Sequence, residues 1–329
     1  MLFLSTMVMG TLISISSFSW FAMWMGLEIN MLSFIPLMNE KSNPLSSEAS
    51  FKYFIIQAIS SMVILFTFLV SLISKELASP MNMTLEIMFN SALFTKLGMA
   101  PFHFWFPEIT EGISWMNTLI LLTWQKLAPM ILIMYNSYSN LFLNLVILSS
   151  FIVSGLKNLN QTSMKKFLAF SSINHMGWMM GIILLDQSLW MFYFIFYVFT
   201  TISLILMFKL FWMPSIQNTF KIMNSNKSVK LFFFLNFLSL GGLPPFLGFF
   251  PKWLILETLW TENQMILALS MVLITLLMLF VYLRLLFQSM MFKVSENKLM
   301  TPFSNIFVIN FLNFCNLMGM IIFSLILNS

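Results

Sequence analysis

The chain has 329 residues, of which 59% are hydrophobic, 17% aromatic and only 8% charged. Soluble domains carry about 25% charged residues, so a water-soluble enzyme is excluded and lipid is the expected solvent. Sixteen Lys and Arg stand against eleven Asp and Glu, a net charge of +5, but they are scattered through short loops between apolar runs. That excludes the clustered basic face of a nucleic-acid binder.

A lone cysteine, Cys315, leaves no disulfide framework and no cysteine-based zinc or iron–sulfur site. Two histidines far apart, His103 and His175, make no haem or zinc pair. No phosphate-binding loop or dinucleotide fingerprint occurs, so redox chemistry has to reside in a partner. The 31 methionines fit a genetic code with an extra Met codon, as in animal mitochondria, because flexible, apolar Met replaces Ile in a lipid-facing helix at little cost.

A spanning helix needs about 20 mostly apolar residues. In chain order, spans are expected at roughly 2–19, 21–38, 53–74, 85–106, 114–134, 141–156, 167–185, 189–210, 231–257, 265–286 and 303–327. Polar punctuation separates them, for example Asn43-Pro44, Ser79-Pro80 and Asn224 to Ser228. The second span carries Glu28, the fourth Lys96, the fifth Lys126 and the ninth Lys252. The seventh carries the polar stretch Ser171, Ser172, Asn174 and His175. The fourth is interrupted by Gly98-Met99-Ala100-Pro101, and the ninth by Gly241-Gly242-Leu243-Pro244-Pro245. Gly177 and Gly181 suit close helix packing. His103 suits a local cap, and Glu108 and Glu111 fall at the outer end of the fourth span.

Alternating loops place Lys41, Lys52, Lys157, Lys165, Lys166, Lys209, Lys221, Lys227, Lys230, Arg284, Lys293 and Lys298 on one side, and Lys75 on the other. The basic side is the cytoplasm or matrix. The N-terminus is expected there and the C-terminus opposite. The first span has no basic leader and is read as a retained helix, with no transit peptide before it.

A charge at the bilayer centre costs about 2.5–3.5 kcal/mol. Four facing lipid would cost roughly 10–14 kcal/mol, so Glu28, Lys96, Lys126 and Lys252 must face protein, water or each other. One acid can staple one lysine; it cannot neutralise three. A lysine withdrawn from water exchanges its proton in the physiological range and can carry it. Helix breaks at membrane depth survive only inside protein or beside a water-filled cavity.

The two breaks also match. Displaced by 144 positions (98 to 242), Gly98 falls on Gly242, Pro101 on Pro245, Phe102 on Phe246, Phe106 on Phe250 and Pro107 on Pro251. The fold class is therefore an all-α polytopic membrane protein with about eleven transmembrane helices. It has two inverted five-helix repeats, residues 1–134 and 141–286, each with a broken fourth helix, plus an additional C-terminal helix at 303–327. Inverted repeats with broken helices build ion-coupled transporters. The same displacement carries Glu28 to 172, near His175.

Met25-Gly26-Leu27-Glu28-Ile29-Asn30, Thr95-Lys96-Leu97-Gly98-Met99-Ala100-Pro101-Phe102-His103-Phe104-Trp105 and Thr123-Trp124-Gln125-Lys126-Leu127-Ala128-Pro129 are three such motifs. Ser172-Ile173-Asn174-His175-Met176-Gly177-Trp178 and the run from Leu240 to Trp253 complete the set. In this order they resemble the antiporter-like membrane-arm subunits of mitochondrial respiratory complex I, from the first helix to the tenth. Glu-Ile-Asn and Ser-Ser-Glu-Ala-Ser are similar to arthropod members. Family members outside animals have fourteen helices, and the animal form lacks three at the N-terminus, in keeping with eleven.

The resemblance implies a proton relay of Glu28, Lys96, Lys126, His175 and Lys252. Glu28 matches the family glutamate that pairs with a lysine, and Lys96, Lys126 and Lys252 match the lysines of the first broken helix, the centre and the second broken helix. It implies a subunit of the proton-translocating NADH:ubiquinone reductase that carries no cofactor or metal itself. FMN and iron–sulfur clusters then belong to partner subunits, and ubiquinone is the substrate of the complex. Other membrane-arm subunits and lipids are the expected partners, in a hetero-oligomer without nucleic acid. The location implied is the mitochondrial inner membrane, with the N-terminus in the matrix and the C-terminus in the intermembrane space. The rivals are a stand-alone cation/proton antiporter of the same fold and a purely structural assembly subunit.

Overall fold

The computed structural model describes residues 1–40, 43–76, 83–136, 140–183, 185–211, 213–219, 227–291 and 314. Lys41, Lys221, Lys293, Lys298, Cys315 and the expected span 303–327 (apart from Phe314) lie outside them. Among the described residues the chain is helical, with one isolated antiparallel bridge between Ser163 and Ser215. The named helices are α1 (Leu2–Ser16), α2 (Trp20–Met38), α3 (Pro44–Glu76), α4 (Met83–Leu97), α5 (Trp105–Gly112), α6 (Trp115–Leu122) and α7 (Trp124–Tyr135). Then follow α8 (Asn140–Asn158), α9 (Met164–Ile183), α10 (Gln187–Leu210), α11 (Lys227–Gly241), α12 (Phe249–Thr261) and α13 (Met265–Met291). Among the described residues six stretches are long and apolar enough to cross a bilayer: Trp20–Met38, Pro44–Ile73, Trp115–Tyr135, Leu141–Asn158, Gln187–Leu210 and Met265–Gln288.

Helix underlies each of the first ten expected spans, with three changes. The third begins at Pro44 rather than 53, because Pro suits the first helical turn and Ser-Ser-Glu-Ala-Ser continues it. At 33 residues α3 is about 50 Å long, longer than the roughly 30 Å hydrocarbon core. The fourth and ninth are each two helices, α4/α5 and α11/α12. The fifth, expected as one helix, divides at Thr123 between α6 and α7. There the backbone turns at φ −113°, ψ −72°, and the Thr123 hydroxyl joins its own N–H on the Leu119 carbonyl, at 2.7 and 3.0 Å.

The helices are amphipathic in the inverse of the soluble sense. On α3, Gln57, Ser60, Ser61, Thr67 and Ser71 are buried, whereas Ile59, Met62, Phe66 and Leu69 are exposed. The buried hydroxyls do not go unsatisfied: Ser60, Ser61, Thr67 and Ser71 each donate to the carbonyl three residues back, at 2.7–2.8 Å. Such back-bonding lets polar side chains line a protein interior at membrane depth.

The chain forms two compact units, Met1–Ser150 and Phe151–Ser329. In the first, α2 packs between α1 and α3, and α4 lies against α3 and α7. The α1–α2 crossing is backbone on backbone: a Cβ on Gly10 would stand 2.8 Å from the Asn30 nitrogen, and one on Gly26 2.6 Å from the Ser14 nitrogen. In the second unit α9 is the hub, touching α10, α12 and α13. Every residue from Phe167 to Ile183 is buried, so α9 has no lipid face.

Candidate functional site

The first unit collects its polar groups at the end of α4. Gly98 terminates that helix in the left-handed region (φ +70°), which favours a residue without Cβ. Its N–H bonds to the Thr95 carbonyl at 3.2 Å, and the Met99 N–H to the Phe94 carbonyl at 3.1 Å. The Trp105 indole then reaches back across the break and donates to the Thr95 carbonyl at 3.0 Å. Lys96, in the last turn, is buried. Its Nζ donates to the Gln57 carbonyl at 3.4 Å, and Gln57 Nε2 donates to the Lys96 carbonyl at 3.2 Å.

Lys126 on α7 is 1% exposed. Its Nζ stands 5.8 Å from the centroid of the Phe106 ring, a distance at which a cation is attracted to an aromatic face. Phe106 packs so tightly on the break that a Cβ on Gly98 would lie 2.8 Å from the Phe106 Cβ. One residue before Lys126, Gln125 Nε2 donates to Asn30 Oδ1 at 2.9 Å, tying α7 to α2. Lys96, Lys126, Tyr53, Gln57, Asn30 and Gln125 line one pocket, with space for water beside their polar groups.

Glu28 is half-buried on α2, one residue from the cavity-lining Leu27. Glu28 makes no ion pair with Lys96 within 4.0 Å. Ion pairs within 4.0 Å include Lys52 with Glu48 (2.9 Å) and with Glu108 (3.1 Å). Lys96 turns instead to the backbone of Gln57. The Lys52–Glu108 pair bridges α3 to α5, so Glu108 acts as an anchor of the second half of the broken helix, while Lys52–Glu48 lies within α3.

The second unit repeats the break and changes its charge. Gly242 is again left-handed (φ +75°). Its N–H bonds to the Ser239 carbonyl at 3.0 Å, and the Leu243 N–H to the Leu238 carbonyl at 3.3 Å. These are the bonds of Gly98 and Met99 displaced by 144 positions, so the two glycines close their helices in the same way, although the Ala100–Pro101 peptide that follows is cis and its counterpart Pro244–Pro245 is not. The lysine, however, has moved to the far side of the break. Lys252, on α12, sends Nζ back to the Leu240 and Gly241 carbonyls of α11, at 3.3 and 3.0 Å. The last carbonyls of a helix lack intrahelical partners and form the negative end of its dipole. Lys252 therefore closes α11 from across the gap, with Nζ 5.8 Å from the Trp178 ring centroid.

His175 is buried on α9, with Nδ1 2.8 Å from the Tyr193 hydroxyl and its ring 5.2 Å from that of Tyr197. Ser203 donates to Asn236 Oδ1 at 3.0 Å. Asn174 Oδ1, Trp178 Nε1 and Trp190 Nε1 are buried without a hydrogen-bond partner among the described residues. Buried polar groups in native proteins are satisfied by protein or water, so this interior is suited to hydration. His103 stays local to the first break, with Nδ1 3.3 Å from the Pro101 carbonyl.

Lys96 and Lys126 thus share one cavity, and His175 and Lys252 are buried in the second unit. Gln57, Tyr193, the Asn30–Gln125 bond and Phe106 complete the surroundings and were not anticipated as site residues. A glutamine inside the apolar run Phe54-Ile55-Ile56-Gln57-Ala58-Ile59 was the available signal, since isolated polar groups at membrane depth are costly. Among the described residues no group of three or more His, Cys, Asp or Glu is placed to hold a metal.

A family model described as NADH:quinone oxidoreductase/Mrp antiporter, TM, matches residues 17–278. NADH-ubiquinone oxidoreductase chain 2 of the mosquito Anopheles gambiae is 46% identical over 99% of this chain and 97% of its own length. The protein of that name from Aedes aegypti is also 46% identical, over the same shares. Among solved structures, a chain of respiratory complex I from Thermus thermophilus, with bound aureothin, superposes with a TM-score of 0.85. It covers 100% of this chain and 79% of its own length at 22% identity, a likeness of fold.

Proposed function

The chain belongs to the family of NADH-ubiquinone oxidoreductase chain 2, and on that premise we propose that it is a core membrane-arm subunit of respiratory complex I that carries protons through a buried relay. The observation that carries this reading is the burial of Lys96 and Lys126 in one polar cavity beside a broken helix. The relay consists of Glu28, Lys96 and Lys126 in the first unit and His175 and Lys252 in the second. Charge on one group sets the proton affinity of the next, since two unit charges 4 Å apart interact by about 4 kcal/mol at an effective dielectric of 20. Glu28 acts on Lys96 through space or through water. A neighbouring subunit that moved this carboxylate nearer would hold the Lys96 proton, and one that withdrew it would release that proton towards Lys126. Lys252 holds its proton against the carbonyl end of α11, so a shift of α12 relative to α11 changes the field at Nζ.

Residues 1–134 and 141–286 are the two inverted repeats, and 303–327 supplies the eleventh span. The chain is a multi-pass protein of the mitochondrial inner membrane, with its N-terminus and basic loops in the matrix and its C-terminus in the intermembrane space. FMN, the iron–sulfur clusters and ubiquinone reduction belong to partner subunits. Lys126→Met keeps the side-chain volume and removes the charge. It is expected to lower the protons pumped per electron in the assembled complex, and an unchanged ratio would remove Lys126 from the relay. Cation/proton exchange by the chain reconstituted alone would favour the antiporter reading.

A further inference from the structure

The last turn of α4 leaves carbonyls that its own ladder cannot reach. That of Phe94 is taken by the Met99 N–H, and that of Thr95 by the Gly98 N–H and the Trp105 indole. The Lys96 carbonyl is taken from another helix, by Gln57 Nε2 of α3 at 3.2 Å. The Gln57 carbonyl in turn accepts from Lys96 Nζ at 3.4 Å and from the Ser60 hydroxyl at 2.7 Å. Each residue thus binds the main chain of the other with its side chain, and both are buried.

A glutamine that only glued two helices together would need one such bond. Here two bonds close a ring between α3 and α4. Nε2 fixes where the Gln57 carbonyl stands relative to the lysine stem, so the amide bond sets the reach of the ammonium bond. The second unit offers an internal comparison. Displaced by 144 positions, Gln57 falls on Thr201 and Lys96 on Leu240. The Thr201 hydroxyl is spent on the Val198 carbonyl of its own helix, at 2.9 Å. The amide and the lysine are therefore present together before the first break and replaced together before the second.

The surroundings show what the ring prevents. Tyr53 of α3 and Lys126 of α7 line the same pocket as Lys96, and Glu28 of α2 acts on Lys96 by its charge. Glu28 is the one carboxylate among these groups, and it has no ion pair with Lys96. The acceptor that Nζ uses instead is a neutral carbonyl.

We infer that Gln57 is a positioning residue for Lys96, a clasp that holds the lysine on a neutral carbonyl of α3 and apart from the Glu28 carboxylate. The consequence for pumping rests on the relay reading; the clasp itself does not. While the clasp is closed, Lys96 is not committed to an anion and gives up its proton to the relay. Once it opens, Nζ swings to Glu28, and an opposite charge in contact holds the proton in place.

The experiment uses the assembled complex and two variants. Gln57→Met keeps the side-chain length and removes the donor. Electron cryomicroscopy should then find Nζ off the position-57 carbonyl and in contact with Glu28. The alkaline limb of the pH profile of proton pumping should move up by about one pH unit or more, as an adjacent opposite charge dictates. Gln57→Glu is isosteric, cannot donate to the Lys96 carbonyl and brings a carboxylate to Nζ. It should move the limb in the same direction, and it decides the matter if Gln57→Met does not assemble. Nζ unmoved in Gln57→Met overturns the clasp. A pH profile unmoved in every variant that assembles, where Lys96→Met abolishes pumping, reduces Gln57 to helix glue and overturns its positioning role. Pumping intact in Lys96→Met would instead sink the relay reading, and the position of Nζ would then decide the clasp alone.

Discussion

Glu28 carries a carboxylate at membrane depth with no ion pair within 4.0 Å among the described residues. Its removal therefore breaks no contact that holds helices together. Glu28→Gln is expected to assemble at wild-type level on a native gel and to lose pumping, because its effect on Lys96 is electrostatic. Reduced assembly would make it a staple instead. Gly98 is the opposite case. An alanine there takes a left-handed backbone, which costs roughly 1–2 kcal/mol, and presses its Cβ into Phe106. Overpacking adds about 1–3 kcal/mol. Gly98→Ala should lower the amount of assembled complex, measured as the intensity of the NADH-dehydrogenase band. The ionisable residues were legible because a charge in an apolar span demands a reason. The left-handed glycine was legible as a break, but its fit against Phe106 depends on α5 folding back, which no local pattern encodes.

Among the elements, α5 is held to α3 by the Lys52–Glu108 pair at an exposed site, with Lys52 also paired to Glu48 of its own helix. Exposed pairs of this kind are screened by water and contribute little. Lys52→Ala should leave the melting temperature of the complex unchanged, read by thermal shift. For α10, Asp186 is the N-cap and accepts from the Ser188 N–H and hydroxyl, both at 2.8 Å. These bonds, the backbone one first, hold its carboxyl below the usual carboxylate value. The cap therefore contributes fully above the ordinary carboxylate value and is lost as pH falls through the lower folded one. Asp186→Ala, at a typical cost of about 1 kcal/mol, should speed hydrogen exchange in the first turn of α10 at neutral pH, and the wild type should match it only in acid. Helix positions were readable because apolar length fixes them. The division at Thr123 was not, because it has no Gly or Pro at the break, and Pro129 lies a turn and a half beyond it.

For the whole molecule, the matched breaks at Gly98 and Gly242 were legible as breaks, since Gly and Pro recur at equal spacing, but their hydrogen bonds were not, and the backbone beyond the two glycines differs, with a cis peptide at Ala100–Pro101 and none at Pro244–Pro245. The exchange of the lysine from α4 to α12 was visible in the sequence as Lys96 and Lys252, yet its consequence was not. Only in the folded chain does Lys252 meet the carbonyls of Leu240 and Gly241. The proposed orientation is open to direct measurement. In the intact complex, a membrane-impermeant amine reagent should modify Lys52, Lys165 and Lys209 in inside-out inner-membrane vesicles and spare them in right-side-out mitoplasts. Modification in mitoplasts would reverse the topology.

Where α1 crosses α2, the backbones meet at Gly10 and Gly26 with no space for a Cβ on either. Every single-base change that replaces a glycine codon's amino acid adds at least that atom. The two codons consequently have no mild missense variants: the smallest replacement, alanine, already collides with main chain, which cannot rotate aside. Inherited changes there should present as missing complex rather than as a poorly coupled one.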